Sequence, residues 1–188
     1  YRNLTVNEVK DFCSWADWLM ELPYVQDEKI GVEGFSFGGT MTCMLLMQAP
    51  DKYHYGIAGG GVYDWALYDS HYTERYMDTP QVNPEGYAVS RVQNYVKGYP
   101  TEYDVTTLAA AQAKTYDVEP VMLKLTHGTG DDNVHHQNTL QLLNEIQREG
   151  KKVELMIYPD GMHGYRGYQG KHFNDANKAF WVKYLLGK

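Results

Sequence analysis

The chain has 188 residues, 43% of them hydrophobic and 22% charged, the balance of one globular domain able to bury a sizeable core. A net charge of −7, without a dense run of Lys or Arg, excludes a non-specific nucleic-acid surface. No stretch reaches the ~18 apolar residues of a membrane span, and no secretory signal heads the chain.

Thr5-Val6-Asn7-Glu8 has the form of a capping box. Val6, Val9, Phe12 or Cys13, Ala16 and Leu19 then recur at helical spacing before Pro23. Residues 29–33 read as a strand and residues 39–48 as a helix. Residues 55–58 form a short buried strand closed by Gly59-Gly60-Gly61. The stretch 62–78 is aromatic and charged without clean periodicity, and reads as a loop with short helical turns. Pro80, Pro84, Gly86, Gly98 and Pro100 punctuate residues 79–120, where one helix is expected at 105–114. A strand follows at 121–126, then a helix at 137–149 with Leu140, Leu143 and Ile146 on one face. A strand at 153–158 and a helix at 173–186, with Phe173, Ala176, Phe180 and Tyr184 aligned, close the chain. Cys13 and Cys43 both fall in expected helices and read as small buried hydrophobes rather than a disulfide.

Helices alternating with short apolar strands predict an α/β fold around a parallel sheet of about four strands. No repeat or low-complexity linker divides the chain, so residues 1–188 are taken as part of a single domain.

Gly34-Phe35-Ser36-Phe37-Gly38 is a G-x-S-x-G pentapeptide between an expected strand and an expected helix. That setting is what a nucleophile elbow needs, since a sharp strand-to-helix turn lifts the serine hydroxyl clear of the sheet. The glycines let neighbouring backbone pass close, and the Phe37 N–H at the helix start is placed to stabilise an oxyanion. The strand at 121–126 runs into His127-Gly128-Thr129-Gly130-Asp131-Asp132-Asn133-Val134, and the strand at 153–158 into Pro159-Asp160-Gly161-Met162-His163-Gly164. Serine, acid and histidine therefore follow successive strands in the order of an α/β-hydrolase. In those roles Ser36 is the nucleophile, His163 the base that takes its proton, and Asp131 the carboxylate that orients the imidazole. Asp132 and Asp160 are rival acids. His127 reads as a packed core histidine. A metal site from Asp131, Asp132, His135 and His136 has no supporting spacing, and neither metal nor cofactor is expected.

With these residues in view, the chain resembles the prolyl oligopeptidase family of serine peptidases, most closely its dipeptidyl peptidase IV branch and the bacterial prolyl tripeptidyl peptidases. The stretches that carry the likeness are the elbow through Gly39, Val62-Tyr63-Asp64-Trp65, Tyr68-Asp69-Ser70-His71-Tyr72-Thr73-Glu74-Arg75-Tyr76-Met77, the 127–134 run and His163-Gly164. The resemblance implies Asp131 as the acid. It also implies a pocket for a proline or alanine side chain built by Val62, Trp65, Tyr68, Tyr72 and Val134, with Asn133 binding a substrate carbonyl. An aromatic box suits a pyrrolidine ring, which offers apolar faces and no N–H.

The likeness further implies the C-terminal half of a hydrolase domain, with a periplasmic or exported location. Phe37 stands where this branch has tyrosine, and residues 99–120 read as an insertion. An upstream tyrosine that completes the oxyanion hole and a β-propeller that clamps the substrate's amino end are expected features of the family and fall outside these residues. The chain alone is accordingly expected to be weak or inactive, with the strand at 29–33 an open edge prone to self-association or homo-oligomer formation. Serine exopeptidase action after proline or alanine is the leading expectation. The alternatives are an esterase or broad acyl hydrolase with the same residues, and a non-catalytic self-associating fragment.

Overall fold

The computed structural model describes residues 1–105, 108–115 and 119–187. Four parallel strands, β1 (Gly31–Phe35), β2 (Tyr55–Gly59), β3 (Met122–Gly128) and β4 (Glu154–Tyr158), form one sheet in the order β1-β2-β3-β4. Among the described residues β1 and β4 are the outer strands.

Among the described residues, seven α-helices connect and cover these strands: α1 (Val6–Met20), α2 (Phe37–Gln48), α3 (Ser70–Met77), α4 (Pro84–Val89), α5 (Leu108–Ala113), α6 (Gln137–Arg148) and α7 (Gly167–Tyr184). On one face of the sheet, Met41, Met44, Leu45 and Leu46 of α2 pack with Ala58 of β2, Leu123 and Leu125 of β3, and Leu142 and Ile146 of α6. The opposite face takes Ile57 and Met122 against Phe180 of α7, with Tyr55, Trp181 and Tyr184 around them. Side chains alternate across β3, and every residue of that strand is buried, as expected of an interior strand covered on both sides.

The α7 face also holds a buried charge. Lys124 Nζ donates to Asn177 Oδ1 at 3.0 Å, and Asn177 Nδ2 donates to Glu33 Oε1 at 2.8 Å. Trp181 Nε1 donates to the other oxygen of Glu33 at 2.9 Å. Burial pushes the Lys124 pKa down, while the Glu154 and Glu33 carboxylates partly offset it. This chain of bonds ties β3 and β1 to α7 where an apolar pattern alone gives no sign of it.

Several sequence expectations need correction. Thr5 does not form a capping box: it sits at φ 77, outside the extended region an N-cap side chain needs, and makes no side-chain cap bond. On α1 the inward stripe is Val9, Cys13 and Ala16, while Phe12 is exposed beside Trp15 and Trp18. Leu140 is also exposed, and α6 instead buries Asn138, Thr139, Leu142 and Ile146. Strand β1 starts two residues later than expected, because Asp27–Lys29 forms a 3-10 turn. Helix α7 begins six residues earlier than expected, at Gly167.

The aromatic stretch is more regular than its periodicity suggested. The Asp69 carboxylate accepts from Tyr72 N at 2.8 Å and caps α3, and a 3-10 turn at Trp65–Leu67 precedes it. Of the helix expected at 105–114, Val105 is extended, residues 106 and 107 lie outside the described residues, and α5 covers Leu108–Ala113. The stretch read as an insertion begins inside the core: Tyr99 is fully buried and its hydroxyl accepts from Leu123 N at 2.8 Å.

Candidate active site

Ser36 joins β1 to α2 with φ 59 and ψ −123, a conformation costly for any residue with a Cβ. The turn is locked from below by Ser36 N donating to Gly59 O at 2.8 Å. Gly34 is needed for this geometry, since a Cβ there would lie 2.2 Å from Gly38 O. A Cβ on Gly38 would meet nothing within 4 Å, so the close approach assigned to both glycines belongs to the first alone. Phe37 opens α2, and the first N–H of a helix has no acceptor within it. Its amide is therefore the backbone donor beside the serine.

The other polar side chains arrive from the ends of β3 and β4. His163 Nε2 lies 3.0 Å from Ser36 Oγ, and His163 Nδ1 lies 2.8 Å from Asp131 Oδ2. Asp131 is buried, and its Oδ1 accepts from Asn133 N at 3.1 Å and Val134 N at 2.9 Å. These backbone donors form a tight turn that aims Oδ2 at the imidazole. The rival acids lie elsewhere: Asp132 and Asp160 are exposed, and Asp160 occupies a positive-φ turn position. The loops carrying Asp131 and His163 meet at Gly128, where a Cβ would fall 2.0 Å from Gly161 O. Gly130 N donates to the same carbonyl at 3.0 Å.

Behind His163 stands an aromatic wall that the sequence reading did not identify. The Phe35 ring lies 5.1 Å from the His163 ring and 5.7 Å from Tyr165, edge to face in both cases. Tyr165 donates to Thr126 Oγ1 at 3.1 Å, which fixes the ring against β3. The signal was available in the x of G-x-S-x-G and in the second residue after the histidine. Neither position has a local pattern that says which way its side chain points.

In front of the serine, Val62, Trp65 and Val134 make a buried cluster joined by Phe37 and Tyr68. Trp65 lies 6.1 Å from Tyr72 with the rings stacked at 12°, and 6.0 Å from Tyr68 edge to face. Phe37 packs 5.9 Å from Trp65, so the residue carrying the backbone donor also braces the cluster. Trp65 is 2% exposed and Tyr72 37%, which grades the wall from core to surface. Tyr68 Oη donates to Asn133 Oδ1 at 2.7 Å, which fixes the Asn133 carboxamide beside the ring cluster. Burial raises the pKa of both Tyr68 and Tyr72, so their hydroxyls stay protonated at neutral pH. The structure thus brings together Ser36, Phe37, Asp131 and His163 at the turn, with Val62, Trp65, Tyr68, Tyr72, Asn133 and Val134 alongside.

His127 is buried and bonded, as a core histidine should be, yet it also approaches Asp131, which its apolar neighbourhood in sequence did not foretell. No group of three or more His, Cys, Asp or Glu side chains is placed to hold a metal ion among the described residues. None of the described helices is long and apolar enough to cross a membrane.

The chain is 37% identical over 183 residues to a probable dipeptidyl-aminopeptidase B of Neurospora crassa, covering 96% of this chain and 17% of that protein. It is 42% identical over 189 residues to the protein of the same description from Uncinocarpus reesii, covering 95% and 18%. It therefore spans less than a fifth of the length of these relatives. The crystal structure of Porphyromonas gingivalis dipeptidyl peptidase 4 superposes with a TM-score of 0.85 at 31% identity, covering 98% of this chain and 24% of that one. A model of the prolyl oligopeptidase family of peptidases matches residues 1–188, and the chain belongs to that family.

Proposed function

We propose that this chain carries the nucleophile, base and acid of a serine peptidase that removes short N-terminal peptides after proline or alanine. The observation that carries the reading is the unbroken line Ser36 Oγ–His163–Asp131, at 3.0 and 2.8 Å. In this reading His163 Nε2 takes the Ser36 proton as Oγ attacks the scissile carbonyl, and an acyl-enzyme forms. The Phe37 N–H, at the positive end of α2, donates to the developing oxyanion. The imidazolium is stabilised by the buried Asp131 carboxylate, then returns its proton to the leaving amine. Water attacks the acyl-enzyme by the same route in reverse.

The cluster of Val62, Trp65, Tyr68, Tyr72 and Val134 would receive the side chain before the cleaved bond. Stacked rings fit a flat pyrrolidine, and a methyl group enters the same space with fewer contacts. Asn133, held by Tyr68, would donate to a substrate carbonyl. The relatives' descriptions as dipeptidyl-aminopeptidases support release from the amino end.

The test is labelling of the full-length protein with a fluorophosphonate, together with turnover of a Gly-Pro chromogenic substrate. Ser36 should be the labelled residue, and Ser36→Ala should abolish both readouts. Equal turnover by the alanine variant overturns the reading. Strong ester turnover without preference for proline would replace it with a broad acyl hydrolase.

A further inference from the structure

The proposed mechanism uses only one of the two histidines that approach Asp131. The other, His127, is the sixth residue of β3, and its side chain is fully buried. Its Nε2 lies 2.8 Å from Val134 O, and its Nδ1 lies 2.6 Å from Thr139 Oγ1. A carbonyl oxygen only accepts, so Nε2 must carry the proton. In the neutral ring, Nδ1 then accepts from the Thr139 hydroxyl. Burial pushes the His127 pKa down, which keeps the ring in that neutral form.

Both nitrogens are satisfied by these two partners, and a core histidine with no other task would need nothing more. There is a third contact, however. His127 Nε2 lies 3.3 Å from Asp131 Oδ2, the same oxygen that faces His163 Nδ1. The titratable groups around the His127 ring are Asp131 and His163 from the strand-end loops and His136 from the start of α6, whose ring centroid is 5.4 Å away.

We infer that His127 is a positioning residue for the proposed acid, its Nε2–H bonded to the Val134 carbonyl while presenting its positive end to Asp131 Oδ2, 3.3 Å from the nitrogen. One donor thereby aims the carboxylate at His163 and holds the 131–134 turn that delivers Asn133 and Val134 to the proposed pocket. The inference rests on the assignment of Asp131 as the acid. It couples the reaction's charge network to its specificity wall through a residue that touches neither substrate nor nucleophile.

Two variants of the full-length protein test it, His127→Leu and His127→Gln. Folded fraction, Ser36 labelling, kcat, KM and the pH profile of kcat/KM are measured for each. Leucine fills the space without a donor, and kcat should fall about tenfold or more. With the second donor gone, Oδ2 keeps more of its charge toward His163, so the acidic limb of the profile should move to higher pH. Glutamine retains an N–H and should recover most of kcat and restore the limb. If the leucine variant does not fold, His127→Asn takes its place, since its shorter side chain keeps a donor that cannot span to Oδ2. A folded leucine or asparagine variant with the parent's kcat and limb overturns the inference. So does a loss of activity that merely follows lost folded protein in both variants. An unreactive Ser36 in the parent overturns the peptidase reading and this inference together, whereas a reactive Ser36 with an indifferent position 127 overturns this inference alone.

Discussion

The hydrogen-bonded line from Ser36 to Asp131 and the ring cluster around Trp65 share Phe37 and Val134 as neighbours, but different forces hold them. In the first, each contact is a directional hydrogen bond, at 2.8 to 3.1 Å, with the acid buried. In the second, the contacts are ring to ring at 5.4 to 6.1 Å, spread over several side chains, and the outermost is partly in solvent. A directional bond is made or lost, whereas a shared apolar surface erodes by degrees. Changes in the first region should therefore act on turnover almost as a switch. Changes in the second should be graded and show in stability and substrate preference.

The sharpest way to break this contrast is Asp131→Asn. The amide oxygen can still accept from Asn133 N and Val134 N, but its NH2 group opposes His163 Nδ1–H and favours the wrong tautomer. Loss of about 10⁴-fold in kcat with the fold retained is expected under the proposed mechanism. A loss below tenfold, measured on a Gly-Pro substrate, would show that the carboxylate does not orient the base.

Trp65→Ala probes the ring cluster where it is most buried. The cavity left by a fully packed aromatic costs about 3–5 kcal/mol of stability. Denaturant unfolding should show that loss, and the kcat/KM ratio of Gly-Pro over Gly-Leu substrates should collapse. An unchanged ratio in folded protein would detach the cluster from specificity.

Tyr68→Phe is the finer cut, because it keeps the ring and deletes only the hydroxyl that holds Asn133. One neutral hydrogen bond is worth about 0.5–1.5 kcal/mol, so KM should rise about two- to tenfold with kcat little changed. A large fall in kcat instead would place the hydroxyl nearer the chemistry than the geometry suggests.

The smallest expected effect is on stability against pH. Burial lowers the folded-state pKa of His127 and of His136 below the ordinary histidine value. As pH falls through about 6.5, the unfolded chain binds protons that the native one resists, so these groups support the fold above that value and withdraw support below it. Urea unfolding from about pH 8 to about pH 5 should show stability falling toward acid, and His136→Gln should flatten the slope. A slope unchanged by that variant would acquit His136.

Much of the fold was legible because its signals are local. Apolar strands bounded by turn residues located β2, β3 and β4 to within two residues, and the residues that follow β1, β3 and β4 stood out as serine, acid and histidine in order. What misled was direction. Leu140 fits a helical stripe as well as Leu142 does, and periodicity, which left Phe12 and Cys13 as alternatives, cannot choose between adjacent stripes. Thr5-x-x-Glu8 has the letters of a cap, but the backbone there takes a left-handed turn that the letters do not encode. Helix α3 escaped because its ordering comes from the Asp69 cap rather than from an apolar period.

The sequence by itself determined the parallel α/β order, the elbow and the set of side chains that meet there, since strand length, turn chemistry and residue order are written within short windows. Only the tertiary structure decided that Phe35 and Tyr165 back the His163 ring, and that His127 reaches the carboxylate oxygen of Asp131 that faces His163. Those facts depend on distances between residues 4 to 130 positions apart in the chain. Such distances are set by how the strands pair and how the loops cross, at Gly128 above all, and no window of local sequence contains them.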